Sequence, residues 1–290
     1  MRFRRFVNRA DTYKEITTTL LCTELHVGLY LQHLMETTNH FSPVESDFYS
    51  IKWAHQMADV PDPCISEVIK NIVEASKRKL CRPIKKKKTI TPEEMMQLFK
   101  SLNTENRTLK DLRVLAMLAI SYTGFLRYNE LSNIKANNIT FYEDYVNIVI
   151  VKSKTDCYRN GKNVVISKLD SLQCPLNILR CYLEEANIEM NTDMYIFRAL
   201  TYISKVNKFV LRKKNVKLSY TRTREILKES LGSIGLKAVD FGLHSFRSGG
   251  ATAAYSCGVS DRLFKIHGRW KSEQAKDGYV LEDIQKRWSV

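Results

Sequence analysis

From residue 127 onward, the sequence contains five side chains of types that suit chemistry on a phosphodiester. They are Arg127, His244, Arg247, Trp270 and Tyr279. A guanidinium donates a planar fork of N–H groups to phosphate oxygens and keeps its charge near neutral pH. A tyrosine hydroxyl becomes a usable nucleophile where neighbouring positive charge stabilises the phenolate. These residue types would suit attack on phosphorus by Tyr279, with both arginines binding the oxygens that gain charge in the transition state.

Three further residues extend this candidate set. Lys152 and Lys154 follow a β-branched segment, and either ammonium could protonate a leaving oxygen as a general acid. Glu130 lies three residues after Arg127, which is about one helical turn, and could orient the arginines.

The predicted elements place these residues around a small sheet. Residues 144–152 predict a strand, and Asn160-Gly161 before 162–167 predicts the return strand of a hairpin. Apolar spacing predicts helices at 112–122, 176–186, 223–231 and 245–256. Helices around an antiparallel hairpin argue against alternating βαβ units. The predicted fold class is mainly α with a small antiparallel β-sheet.

The beginning of the chain has a different pattern, which is helical throughout. Helical spacing of apolar residues extends from Thr12 to Arg78, with breaks at Asn39–Ser42 and Pro61–Pro63. Thr91-Pro92-Glu93-Glu94 is a capping box with proline at the first helical position, and it starts a new helix. We therefore predict an all-helical N-terminal domain at 1–84, a basic linker at 85–90, and an α+β domain at 91–290.

Charge is the strongest departure from an average composition. The 290 residues include 46 Lys+Arg and 31 Asp+Glu, for a net charge of +15. Such an excess favours an anionic partner, nucleic acid ahead of a membrane surface, although solubility alone could also account for it. Between Thr201 and Lys237, ten basic residues accompany only Glu225 and Glu229. This stretch predicts either a concentrated nucleic-acid surface or an amphipathic helix pair with a solvated basic face.

The four consecutive lysines Lys85–Lys88 have three open interpretations. They could form a solvated linker, a strap on a DNA backbone, or a nuclear targeting signal together with Lys77-Arg78-Lys79. The candidate DNA-contacting residues are Lys85, Lys86, Lys87, Lys88, Arg212, Lys213, Lys214, Arg222 and Arg224.

Several other classes of protein do not fit the sequence. The basic first residues are followed by no apolar segment typical of a secretory signal. The longest apolar run, Val114–Tyr122, has nine residues, against about 18 for a membrane span. Seven cysteines without a C-x-x-C pair argue against a disulfide framework and a structural zinc site. We therefore expect an intracellular, reduced protein with no membrane partner.

Taken singly, each candidate residue has an ordinary interpretation: an ion-pair partner, a helix cap, the edge of a core. Taken in order, they resemble the tyrosine recombinase/integrase family, and within it the Cre-like eukaryotic members. The family pattern is an arginine with a glutamate three residues on, a hairpin lysine, His-x-x-Arg, His or Trp, and a tyrosine. Arg127 and Arg247 are 120 residues apart, Arg247 and Trp270 are 23 apart, and Trp270 and Tyr279 are nine apart. The last spacing matches Trp270, not His267, to the fifth position, which leaves His267 as a structural neighbour.

The resemblance implies a fold, partners and an activity. The helical segment before Lys85 resembles the family's core-binding domain, so two domains would close as a clamp on double-stranded DNA. Protomers would associate into dimers and tetramers on that DNA. Lys154 would be the general acid because Ser-Lys-Thr-Asp resembles the Cre-type loop, with Lys152 as the alternative. The implied reaction is site-specific recombination or integration through a 3′-phosphotyrosyl intermediate, with no cofactor, no metal and no ATP, in the nucleus.

Two other functions stay open. A host-captured, non-catalytic DNA-binding protein could keep the recombinase fold without strand exchange, although the filled set of family positions disfavours it. A type IB topoisomerase uses similar chemistry as a monomer, although the short two-domain chain and Trp270 disfavour that reading.

Overall fold

The computed structural model describes residues 6–8, 20, 22–83, 85–153, 156, 158 and 160–279. The chain divides into two compact units, Met1–Lys85 and Lys86–Val290.

The described part of the first unit is helical. Its helices are α1 (Glu24–Thr37), α2 (Phe41–Met57) and α3 (Glu67–Leu80). The predicted breaks separate α1 from α2 and α2 from α3. Ser66 caps α3 by accepting the Val68 N–H at 3.1 Å. All three helices pack around one apolar core, formed by Val27, Leu31, Val44, Ile51, Ile69 and Leu80. The predicted helical region begins at Thr12, but most of its residues from 12 to 21 lie outside the described residues.

The second unit is mainly α with small antiparallel sheets, which confirms the predicted fold class. Its helices are α4 (Pro92–Leu102), α5 (Leu109–Thr123), α6 (Tyr128–Ser132), α7 (Pro175–Glu185), α8 (Tyr220–Ser233), α9 (His244–Ser256), α10 (Asp261–Gly268) and α11 (Glu273–Asp277). Its strands are β1 (Ile139–Phe141), β2 (Tyr145–Ile150), β3 (Lys162–Ser167), β4 (Leu200–Ile203) and β5 (Lys208–Leu211). The strands form one antiparallel sheet in the order β1-β2-β3 and a separate β4-β5 hairpin.

Helix α5 is the centre of this unit. Every residue from Leu112 to Ser121 is buried, because the helix is apolar on all sides and is covered by α7 and α9. Thr108 and Asp111 close a capping box at its first turn. The helix ends at Thr123. Because α5 is fixed in the core, its end fixes the position of the following turn and of Arg127.

The β2-β3 hairpin confirms the predicted pairing. Val146 lies opposite Ile166 and Ile148 opposite Val164, and all four side chains are buried. Alternation of buried and exposed positions therefore fixes the register. Lys152 follows the end of β2, and Asp156 accepts the Gly161 N–H at 2.9 Å just before β3.

The start of the second unit includes the predicted capping box, and the residues before it make contacts within the unit. Thr91 Oγ1 accepts the Glu94 N–H, and Glu94 Oε2 accepts the Thr91 N–H at 2.9 Å, as the capping box predicts. Two of the preceding residues donate backbone hydrogen bonds to the rest of the second unit. The Lys88 N–H donates to Asp240 O at 2.9 Å, and the fully buried Ile90 donates to Ser245 O at 3.1 Å. These contacts fasten residues 88 and 90 to Asp240, which precedes α9, and to Ser245 in the first turn of α9.

The basic stretch 201–237 is not a pair of helices. Its first part forms the β4-β5 hairpin, in which Tyr202 pairs with Phe209, and only α8 is an amphipathic helix. The two strands are only four residues long each, so their alternation is too brief to predict a hairpin from the sequence. A buried arginine fastens the hairpin to α5, because Arg113 Nη1 donates to Arg198 O at 2.9 Å. Arg198 Nη1 in turn donates to Arg212 O at 2.9 Å.

Among the described residues, no helix is both long and apolar enough to cross a membrane.

Helix α9 approaches α5 closely, and this contact generates a prediction. A Cβ atom at Gly250 would overlap the carbonyl oxygen of Tyr122. We expect Gly250→Ala to lower the free energy of unfolding by about 1–3 kcal/mol, because the backbones would have to separate. Urea denaturation monitored by circular dichroism would measure the change. The matched control is Gly232→Ala in α8, where the added Cβ meets nothing within 4 Å and stability should be unchanged or higher. Equal stability of the two variants would contradict the close packing.

Candidate active site

A strained turn after α5 begins the site. Phe125 adopts a left-handed conformation with φ +46°, which is rare for a bulky residue and costs about 1–3 kcal/mol. The turn directs the Phe125 carbonyl oxygen toward two guanidiniums. It accepts from Arg247 Nη1, and it accepts from Arg269 Nη2 at 2.8 Å. Arg127 follows as the cap of α6.

Glu130 on α6 is the acceptor that these arginines share. Its carboxylate is 1% exposed, and Oε1 lies 2.8 Å from Arg127 Nη1. Oε2 accepts the Arg127 backbone N–H at 2.9 Å and lies 2.9 Å from Arg269 Nη2. Arg247 Nη1 is 3.7 Å from the same oxygen. One buried carboxylate therefore faces three guanidiniums, so the cluster keeps a net positive charge.

Arg247 on α9 lies beneath the cluster. It is fully buried, and Nη2 donates to Gly268 O at 2.8 Å. Its guanidinium carbon is 4.7 Å from the centre of the Tyr279 ring and 5.2 Å from that of Trp270. Its terminal nitrogens bind backbone carbonyls, whereas the Arg127 side chain is 15% exposed. The structure thus makes Arg127 the more accessible of the two predicted phosphate ligands.

Trp270 and Tyr279 lie side by side above Arg247. Their ring centres are 5.6 Å apart, and both pack on a small apolar cluster that includes Phe125 and Phe264. Within the described part of the chain, the buried indole N–H of Trp270 has no hydrogen-bond partner. A buried, unpaired donor is costly, so an acceptor in this pocket would relieve that cost.

A short helix holds Tyr279 in this position. The Tyr279 N–H donates to Lys276 O at 3.0 Å, just after α11. The Lys276 ammonium pairs with Asp261 on α10 and with Glu273 at 2.5 Å. The pair with Asp261 fastens α11 to α10, next to the residue that carries the phenol.

The pKa values of the cluster follow from burial and from mutual charge. Burial alone would raise the pKa of Glu130. Together with three smaller contributions, Arg269 outweighs burial, and the net pKa lies below the ordinary value. In order of size, these contributions come from the Arg127 backbone N–H, Arg247 and the Arg127 side chain. Burial lowers the pKa of Arg127, but Glu130 and a smaller interaction with Tyr279 outweigh burial, and the net shift is upward. Burial and then repulsion from Arg127 lower the pKa of Arg247. Glu130 is therefore ionised, and the phenol faces positive charge.

The other predicted site residues are placed less closely. His244 is the exposed first residue of α9, one turn before Arg247 and on the same side of the helix. Lys152 is exposed, two residues after β2 ends. Lys154 lies outside the described residues. His267, which we predicted to be structural, has Nε2 2.7 Å from Thr123 O and packs edge-on against Phe125.

The predicted DNA-contacting residues do not belong to this cluster. Lys85, Lys86, Arg212, Lys213, Lys214 and Arg224 are exposed. Arg222 is exposed but pairs with Glu225 at 2.9 Å and with Glu229 at 3.5 Å. Lys87 donates to Val239 O at 2.5 Å, and Lys88 pairs with Asp240 at 2.9 Å. Part of their charge is therefore neutralised within the unit.

Sequence reasoning missed Arg269. The residue stands within the stretch His267-Gly-Arg-Trp270, but only the tertiary structure shows its guanidinium on Glu130. Its position directly before Trp270 is the one signal in the sequence that could have drawn attention to it.

A cleft of about 470 Å³ adjoins the cluster. One side is the hairpin loop, with Ser153, Asp156, Asn160 and Lys162, and the other is the segment with Lys265, Ile266, Arg269, Trp270 and Lys271. Its lysines suit an anionic ligand. In the described ranges, no group of three His, Cys, Asp or Glu side chains is placed to hold a metal ion.

A mainly helical unit that gathers arginines, a tryptophan and a tyrosine beside a small sheet has the fold of tyrosine recombinase catalytic domains. Residues 88–283 match the model of the Phage integrase family. The chain belongs to this family of tyrosine recombinases.

Individual relatives agree with this assignment. The chain is 28% identical over 188 residues to an integrase/recombinase xerD homolog from Selenomonas ruminantium, covering 64% of this chain and 52% of the relative. The chain thus spans about half the length of this curated relative.

Solved structures show the same fold. XerH recombinase bound to palindromic difH substrate, in a post-cleavage complex, is 17% identical, with a TM-score of 0.64 over 99% of this chain and 75% of that one. A lambda integrase dimer bound to a COC' core site is 13% identical, with a TM-score of 0.53 over 89% of this chain and 64% of that one.

Removing the charge of Glu130 should be costly. We expect Glu130→Gln to lower the free energy of unfolding by about 3 kcal/mol at pH 7, because three guanidiniums would lose their buried counter-charge. Because the folded-state pKa of Glu130 is lowered, its contribution is complete above the ordinary pKa of about 4.3 and is lost as pH falls through the lowered value. The difference between wild type and variant should therefore shrink only below about pH 4.

Denaturant melts from pH 7 to pH 3 would measure both effects. Exposed Glu143→Gln is the matched control and should change stability by less than about 0.5 kcal/mol. A variant at Glu130 as stable as this control at pH 7 would show that the carboxylate does not neutralise the cluster.

Proposed function

We propose that this chain is a site-specific DNA recombinase or integrase that cuts and rejoins DNA through a 3′-phosphotyrosyl intermediate. The observation that carries the proposal is the position of Tyr279, whose ring centre lies 4.7 Å from the Arg247 guanidinium carbon. Arg127 also interacts with this phenol. A phenol held against two guanidiniums is placed to meet a phosphate that the same charges attract.

The proposed first step is attack of Tyr279 Oη on the scissile phosphorus. The new P–Oη bond forms as the P–O5′ bond breaks, and negative charge gathers on the non-bridging oxygens. Arg127 donates N–H groups to these oxygens, and Arg247 supplies charge from beneath. The unpaired indole N–H of Trp270 supplies another donor. Preorganised donors of this kind contribute roughly 10²–10³ in rate each.

Proton transfers complete the step. The leaving 5′ oxygen takes a proton from a lysine of the hairpin loop, for which Lys154 is proposed and Lys152 is the alternative. His244 takes the phenol proton or donates to a phosphate oxygen. The phosphotyrosyl link conserves the energy of the broken bond, so attack by a 5′ hydroxyl of another strand rejoins DNA without ATP.

The proposed partners are double-stranded DNA and further copies of the chain. The exposed basic residues around β5 and α8 support the first, with the Met1–Lys85 unit as a second DNA-binding element. The XerH structure is a complex with its DNA substrate, and lambda integrase is a dimer on its core site. We propose a dimer and then a tetramer on DNA.

Two narrower expectations stay predictions. A Cre-like eukaryotic subgroup and a nuclear location rest on the loop resemblance and the lysine run. A fluorescent fusion with and without Lys85–Lys88 would test the location.

The nucleophile can be tested directly. On a duplex nicked near the cleavage position, wild type should trap a covalent protein–DNA adduct, and Tyr279→Phe should form none because its ring lacks the attacking oxygen. Arg127→Ala should bind the duplex nearly as well as wild type but form adduct about 10²–10³-fold more slowly. Denaturing gels and fluorescence anisotropy would measure the two quantities.

The outcome also separates the alternatives. A wild-type chain that binds duplex but never forms adduct would be a captured DNA-binding protein. Relaxation of supercoiled DNA without exchange between two sites would indicate a topoisomerase. If Arg127→Ala lost binding and cleavage by the same factor, its role in the transition state would be rejected.

Salt dependence tests the basic surface. We expect K213Q/K214Q to weaken duplex binding and to reduce the slope of log K against log salt concentration by about 2, because each lysine would release about one counterion. The charge-matched control K100Q/K168Q removes two exposed lysines outside the predicted DNA-contacting set. Equal slopes for the two double variants would remove this surface from the DNA interface.

A further inference from the structure

We propose that Arg269 is a positioning residue for strand transfer, which fastens Glu130 to the turn after α5 so that Glu130 can hold Arg127 in its working orientation. The inference rests on the proposed function. It concerns a residue that the sequence signature does not include.

Both terminal nitrogens of the Arg269 guanidinium donate hydrogen bonds within the protein. Nη1 donates to Gly124 O at 3.1 Å and to His267 O at 2.8 Å. Nη2 donates to Phe125 O at 2.8 Å and to Glu130 Oε2 at 2.9 Å. The four N–H bonds of the two terminal nitrogens are thus directed at four acceptors, and the side chain is 3% exposed. With these donors occupied inside the protein, Arg269 is placed to position other groups and not to bind substrate.

The backbone at this position supports a role for the side chain. Arg269 ends α10 in the left-handed region with φ +58°, a conformation that glycine adopts without strain. A glycine would make the same turn but supply none of the four hydrogen bonds. The backbone strain of an arginine at this position is offset only by the hydrogen bonds that its guanidinium donates.

The link to catalysis passes through one carboxylate. Arg269 occupies Glu130 Oε2, and Arg127 Nη1 lies 2.8 Å from Oε1. Each oxygen of Glu130 is therefore bound by a different arginine side chain, Oε2 by Arg269 and Oε1 by Arg127. The carboxylate has little freedom to rotate. Without Arg269, Glu130 would lose the strongest charge that keeps it ionised, and Arg127 would lose a rigid anchor.

Lysine cannot replace this arginine. A lysine keeps the charge but has a single flexible ammonium, which cannot bridge a carboxylate and three carbonyls in a planar fork. The variants Arg269→Gly and Arg269→Lys thus separate the contribution of geometry from that of charge, and glycine also suits the backbone.

The test uses single-turnover adduct formation on a nicked duplex selected from a random-sequence pool by the wild-type chain. We expect Arg269→Gly to form adduct about 10²-fold more slowly, as expected for misplacement of about 1 Å, with duplex affinity unchanged within about twofold. Arg269→Lys should recover less than about a tenth of the lost rate. The matched control is Arg262→Ala, an exposed residue of the same helix, which should react at the wild-type rate.

Two readouts distinguish positioning from general weakening of the fold. If Arg269 acts through Glu130, the double variant R269G/E130Q should react no more slowly than E130Q alone. In Arg269→Gly the acid limb of the rate–pH profile should shift to higher pH, because Glu130 would protonate more easily. The charged groups that face Glu130 are Arg127 at the start of α6, Arg247 on α9 and Arg269 at the end of α10. Arg269 also lowers the pKa of the nearby His267. The shift should therefore vanish in the E130Q background if Glu130 is its source.

The outcomes are separable. A wild-type chain without adduct overturns the proposed function and the inference with it. If the wild-type chain forms adduct, three results overturn the inference alone. The first is an Arg269→Gly variant as fast as wild type, and the second is full rescue of the rate by Arg269→Lys. The third is a double variant in which the rate losses of the two single variants multiply. If Arg269→Gly melts below the assay temperature, Arg269→Lys, measured where it is folded, decides the question by the same double-variant comparison.

Discussion

A single buried carboxylate that faces three guanidiniums is the constraint on which the rest of the structure depends. Arginine side chains are expensive to bury, and only their hydrogen bonds and counter-charge make a 0%-exposed Arg247 possible. Glu130 neutralises one of three charges, so the cluster stays positive. That surplus charge would attract the phosphate of the proposed reaction. The contacts that make burial of the arginines possible thus also leave the site positively charged.

Terminal N–H groups of Arg247 and Arg269 also donate to backbone carbonyls, and these hydrogen bonds constrain the path of the chain. The carbonyl oxygens of Gly124, Phe125 and Gly268 all accept from guanidiniums. The turn after α5 brings the Phe125 carbonyl to the arginines through a left-handed conformation at Phe125. Helix α9, which carries Arg247, lies so close to α5 that Gly250 has no room for a side chain.

The same device recurs away from the site. Arg113 and Arg198 are buried and donate to backbone carbonyls, which connects α5 to the base of the β4-β5 hairpin. The exposed lysines and arginines beside that hairpin therefore stand next to backbone that buried arginines hold. Buried arginines here organise backbone, while exposed ones present their charge to solvent. A sequence does not distinguish these two uses, because both read simply as arginine.

Local patterns in the sequence determined much of this protein. The capping box at Thr91, the alternation of the β2-β3 hairpin and the ordered spacing of Arg127, Arg247, Trp270 and Tyr279 each depend on neighbours or on a family signature, and each was predictable. The β4-β5 hairpin, the docking of Ile90 and the guanidinium of Arg269 on Glu130 were not. Each of these depends on partners that tertiary packing alone brings together: Arg269 and Glu130 are 139 residues apart in the chain. Burial decides whether a charged side chain is solvated, paired or used in chemistry, and burial is a property of the folded chain.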